Sequence, residues 1–101
     1  EVIGVPHFFF LKQKKKKEKS QSNVSQGNAK AQYQLALSYE TGNGQLQDFI
    51  YAHMWANISA SNGYSKAVTL RDRLAKKMTA SQIEKAQDLA RQCRNKNYKG
   101  C

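Results

Sequence analysis

Residues 29–63 read AKAQYQLALSYETGNGQLQDFIYAHMWANISASNG. Two helical patterns flank a glycine break. In the first, Ala31, Leu35 and Tyr39 recur at i, i+4 and i+8 with Ala36 beside them, the spacing of one helix face. Thr41-Gly42-Asn43-Gly44 then stops the helix. Asp48 offers an N-cap to the second pattern. There Phe49, Ala52, Ala56 and Ala60 recur at i, i+3, i+7 and i+11, with Trp55 on the same side. Asn62-Gly63 closes it. The alanines let two backbones approach, and Tyr33, Tyr39, Tyr51 and Trp55 fill the space left between them.

Downstream, Ala67, Leu70, Leu74 and Met78 form the stripe of a third helix. Thr79-Ala80-Ser81-Gln82 is a capping box, in which the Thr hydroxyl and the Gln carboxamide satisfy each other's end of the first turn. A fourth helix carries Ile83, Ala86, Leu89, Ala90 and Cys93. No stretch alternates apolar and polar residues, and Pro6 is the one proline. The chain therefore reads as all-α. Gly27-Asn28-Ala29-Lys30-Ala31 recurs as Gly63-Tyr64-Ser65-Lys66-Ala67, an offset of 36 residues. A period in the thirties that joins two short helices marks a helical repeat, or α-solenoid. The expectation is one full repeat followed by a capping helix pair.

The 101 residues allow one small domain. They exclude the large enzyme folds. The net charge of +10 is uneven: six Lys against Glu1 and Glu18 in residues 1–26, +3 over 27–92, and Arg94, Lys96 and Lys99 in 93–101. The expected layout is a basic, low-complexity segment at 1–26, a folded domain at 27–92 and a basic tail at 93–101. Residues 12–26 read either as a disordered linker or as a basic helix continuing from Phe8-Phe9-Phe10. No apolar run approaches the roughly 18–20 residues that span a bilayer. Glu1, not Met, stands first, which suggests processing or a longer chain. Cys93 and Cys101 are too far apart for a zinc knuckle, which uses closer pairs. Two free thiols and a disulfide that ties the tail back both fit. A disulfide would imply an oxidising compartment.

Residues 27–63 resemble one unit of the Sel-one-like repeat family, relatives of the tetratricopeptide arrays. The resemblance rests on Ala29, Ala31, Gln32, Tyr33, Leu35, Tyr39, Gly42, Gly44, Asp48, Ala52, Trp55, Ala60 and Gly63. Ala36 stands where that family usually has Gly, and Ser59 replaces the first Ala of its Ala-Ala pair. Residues 64–91 look like the helices that close such arrays. The resemblance implies a non-enzymatic adaptor that offers a concave helical face to a protein partner. Many members are bacterial and exported, which favours periplasm or secretion over cytoplasm. On that reading Lys30, Gln34, Leu37, Ser38 and Glu40 are the exposed partner surface, while Tyr33 and Tyr39 belong either to core or to groove. Only about one and a half units look packed, and solenoids usually need about three. Either the C-terminal helices and a disulfide close a minimal domain, or Glu1 is the edge of a longer array.

Catalysis finds little support in the residues. Gly42-Asn43-Gly44 lacks a following Lys, and Asp48 would repel a phosphate at the next helix start. His53 has no Cys, Ser or carboxylate partner at helical spacing. No catalytic residue, cofactor or metal is expected. The competing reading is a polyanion-binding module acting through the basic tails and the third helix, where Arg73, Lys76 and Lys77 share one face. Nonspecific attraction to polyanions follows from the charge alone.

Overall fold

The computed structural model describes residues 24, 25 and 27–101. Those residues form four helices: α1 (Ala29–Thr41), α2 (Phe49–Ser61), α3 (Ser65–Ala75) and α4 (Ala80–Asn95). No strand occurs among them. The all-α expectation holds for this part of the chain. The segment 1–26 lies outside the described residues except for Val24 and Ser25. Val24, within the stretch read either as a linker or as a basic helix, is 1% exposed and belongs to the core.

Local chemistry sets the helix ends. Asn28 Oδ1 accepts from the Ala31 amide at 2.9 Å and caps α1. Gly42, at φ +81°, takes the left-handed C-cap, and its amide returns to the Ser38 carbonyl. A side chain at that φ would be strained. Asp48 Oδ1 accepts from the Ile50 and Tyr51 amides at 3.0 and 3.1 Å, the cap read from the sequence. At α4 both arms of the capping box are made, Thr79 N to Gln82 Oε1 at 2.9 Å and Gln82 N to Thr79 Oγ1 at 3.1 Å.

The centre of the fold is α2. It packs against α1 on one side and against α3 and α4 on others, while α3 and α4 approach it more closely than they approach each other. Its buried residues, Ala52, His53, Met54, Trp55, Ala56, Ile58 and Ser59, run round the helix rather than along one stripe. A helix covered on several sides must be compatible with the interior nearly all round. The stripe expected from Phe49, Ala52, Ala56 and Ala60 is thus only part of the buried surface.

The face of α1 is turned from the expected one. Gln32, Ala36 and Glu40 are its buried residues, while Ala31, Leu35 and Tyr39 are half-buried. The two polar side chains are inside because each is satisfied there. Gln32 Nε2 donates to the Val24 carbonyl at 3.1 Å, and Asn62 Nδ2 donates to Gln32 Oε1 at 2.9 Å. Glu40 is held by Arg73. On α3 and α4 the buried sets are Ala67, Leu70 and Leu74, and Ala86, Ala90 and Cys93, all from the expected stripes.

Helices α1 and α3 begin 36 residues apart, each after a glycine of positive φ, Gly27 at +82° and Gly63 at +100°. The boundary expected at residue 93 falls inside α4, which runs to Asn95. Beyond it the chain turns through Asn97 and Tyr98, both at positive φ, and Cys93 and Cys101 are joined in a disulfide. The Tyr98 ring lies 3.6 Å from the position a Cβ would take on Gly27, and its hydroxyl donates to Asn62 Oδ1 at 3.4 Å. The residues read as a tail thus fold back onto the start of α1.

Candidate functional site

Along the outer side of α1 runs an open groove of about 580 Å³. One wall is Lys30, Gln34 and Ser38, which stand at i, i+4 and i+8 and so rise from one helix face. Ala31, Leu35 and Val24 give the lining its apolar part, and Asn43, Gly44 and Gln45 of the α1–α2 loop also line it. That loop is anchored at both ends. Thr41 Oγ1 donates to the Leu37 carbonyl at 3.0 Å and accepts from the Asn43 amide at 3.2 Å. The Asp48 amide donates to the Tyr39 carbonyl at 2.9 Å, and Gln47 Nε2 to the Glu40 carbonyl at 2.7 Å.

Lys30 is the one ionised side chain among the described lining residues. The others are carboxamides, a hydroxyl and small apolar groups. Carboxamides donate and accept at once, which suits the alternating N–H and C=O groups of a peptide backbone. Ser38 Oγ donates to the Gln34 carbonyl at 3.2 Å, and the described lining contains no His, Cys or carboxylate.

Of the five residues expected at the partner surface, the structure brings Lys30, Gln34 and Ser38 together here. Leu37 is half-buried against the core cluster. Glu40 was expected to be exposed and is not: it is 9% exposed, with its two carboxylate oxygens accepting from Arg73 Nη2 and Nε at 2.8 and 3.1 Å. It joins α1 to α3. Tyr33 and Tyr39 lie within the fold, in tilted ring pairs with Tyr64 at 5.0 Å and Tyr51 at 5.6 Å. Burial raises the Tyr39 pKa, with Tyr51 and Asp48 adding to the effect. Ala52 and Trp55 are fully buried, Ala60 is half-buried, and Gly42, Asp48 and Gly63 set helix ends. The sequence reading missed the part played by Ala31, Leu35, Asn43 and Gln45 in the groove. Their mixture of small, apolar and amide side chains carries no signal until the loop is folded back.

The basic face expected on the third helix is broken up: α3 ends at Ala75, which leaves Lys76 at its C-cap and Lys77 beyond it. Arg73 holds Glu40, and Lys77 Nζ sits 5.7 Å from the centre of the Phe49 ring. Arg71 donates to Asn57 Oδ1 at 3.2 Å and pairs with Asp72 at 3.5 Å. His53 is buried at 3% exposure, and its Nδ1 has no hydrogen-bond partner among the described residues. Burial holds its pKa below 6.5, with Arg71 lowering it further and Asp72 opposing. Among the described residues no three His, Cys, Asp or Glu side chains gather as a metal ion would need, and no helix is long and apolar enough to cross a membrane.

The chain matches no family model, and no curated protein matches it.

Proposed function

We propose that the chain is a non-enzymatic protein-interaction module of the helical-repeat type, with a peptide segment of a partner protein held along α1. The observation that carries this reading is the groove wall of Lys30, Gln34 and Ser38, rising at helical spacing over an apolar base and bounded by an anchored loop. Such a surface is shaped for a chain rather than for a compact ligand. Lys30 favours an acidic group at one end of it.

The repeat reading draws support from the capped α1–loop–α2 pair, from the buried Trp55, and from the equivalent glycine-led starts of α1 and α3. One feature departs from a plain stack of helical hairpins: α3 and α4 pack on α2 rather than closely on each other. The second pair acts as a closure over α2, in keeping with a terminal unit. The Cys93–Cys101 bridge supports an oxidising compartment, hence periplasm or secretion.

A random peptide library displayed on phage, selected against the immobilised protein, tests the proposal. Peptides so selected should lose at least about tenfold in affinity when Gln34→Trp fills the groove, a loss equivalent to about 1.4 kcal/mol. A library that returns no binder, or binders indifferent to Gln34→Trp, would refute it.

A further inference from the structure

A second groove, of about 380 Å³, lies between α2 and α4 and shares no lining residue with the first. Ile58 and Ala90 also line it but are covered, at 1% and 4% exposed. On α4, Gln87, Arg91 and Arg94 fall at i, i+4 and i+7 and so line one edge. Asn57 of α2 faces them. Its Oδ1 is taken by Arg71, which leaves the Nδ2 donor for a ligand. Arg91 has only a long contact to Asp88, 3.4 Å, with both side chains mostly exposed. Arg94 makes no side-chain hydrogen bond or ion pair among the described residues. No carboxylate lines the groove. The described lining therefore offers two guanidinium groups, two carboxamides and the Ser61 hydroxyl, which donates to the Ile58 carbonyl at 2.9 Å.

We propose that this groove binds an acidic peptide segment of a partner protein, with carboxylates at Arg91 and Arg94 and a backbone carbonyl on Asn57 Nδ2. Guanidinium forks match carboxylates in two-point contacts. The charge complementarity selects an acid-bearing partner. The lining selects a peptide over a nucleic acid, because Asn57 and Gln87 suit the N–H and C=O groups of a backbone and a strand of phosphates would need a longer track of cations. Aromatic platforms for bases are absent from the lining.

The test is fluorescence anisotropy with a short fluorescein-labelled peptide built from Glu, Leu and Ala, at 0.15 M salt. Arg91→Gln with Arg94→Gln should weaken binding at least about tenfold, in line with the loss of charge-assisted hydrogen bonds. Lys96→Gln with Lys99→Gln removes the same charge away from the groove and should change affinity by less than about threefold. Gln87→Glu, which sets a carboxylate beside the arginines, should weaken binding as the arginine pair does. The five substituted side chains, Gln87, Arg91, Arg94, Lys96 and Lys99, are exposed, so circular dichroism should show the parent helix content in all variants. Equal losses from the arginine and lysine pairs would reduce the effect to bulk charge and overturn the proposal. So would a single-stranded DNA that binds more tightly than the peptide and depends on Arg91 and Arg94.

Discussion

Replacing Arg73 by Met should destabilise the protein by about 2 kcal/mol, a value placed between two limits. Removing one partner from a fully buried ion pair costs about 3–5 kcal/mol, because a charge is left inside without compensation. Removing one from an exposed pair costs about 0–1 kcal/mol. The Glu40–Arg73 pair lies between them: the Glu40 side chain is 10% exposed and the Arg73 side chain 49%. Water can enter from the arginine side and reach the carboxylate in part. For a domain of this size about 4–8 °C of melting temperature accompanies each kcal/mol, so the melting point should fall by about 8–16 °C. Adding Glu40→Met removes the stranded charge, and the double variant should recover more than half of the loss. The double-mutant cycle should then give a coupling of about 1–2 kcal/mol. Urea unfolding followed by circular dichroism at pH 7 measures each corner. Raising the salt concentration should shrink the coupling only modestly, since Glu40 is inside. An Arg73→Met protein within about 0.5 kcal/mol of the parent, or two losses that simply add, would show that this bridge between α1 and α3 does not act as argued.

Three further outcomes are expected. Trp55→Ala, which empties a fully buried indole site in α2, should cost about 3–5 kcal/mol and unfold a domain of marginal stability; a variant melting with the parent would displace α2 from the centre of the core. Opening the Cys93–Cys101 bridge by Cys101→Ala should cost up to about 2.5 kcal/mol by loop entropy for a separation of 8 residues. The Tyr98 contact to Gly27 should loosen with it, visible as faster amide exchange at Gly27, and unchanged exchange would separate the two. His53 has a folded-state pKa below 6.5, so the unfolded chain takes up a proton first as the pH drops. Stability should therefore fall between the unfolded value near 6.5 and the lower folded value, and the fall should be shallower in His53→Gln. An identical pH slope in that variant would exclude His53 as its source.

Features set within a few residues were legible in the sequence: the Asp48 cap, the Thr79–Gln82 box, the Gly42 stop and the stripes of α3 and α4. Features set by distant partners were not. Apolarity alone pointed to Ala31, Leu35 and Tyr39 as the inner face of α1. Yet Gln32 and Glu40 are inside because Asn62 and Arg73, 30 and 33 positions away, satisfy them. The same cause removed Glu40 from the expected partner surface. Nor does periodicity mark the return of Tyr98 onto Gly27, which depends on two left-handed residues and a disulfide. Lys30, Gln34 and Ser38 were legible as a set because one helix face carries all three. The loop that bounds their groove was not, since its position comes from hydrogen bonds made after folding.

The most direct test of the interaction reading is a nuclear magnetic resonance titration of the isotope-labelled protein with a library-selected peptide. The expected result is a contiguous set of shifted amides at Lys30, Gln34, Ser38, Asn43 and Gln45, with the amides of α3 little changed. Shifts concentrated on α3 or on the Cys93–Cys101 loop, with α1 silent, would contradict the account.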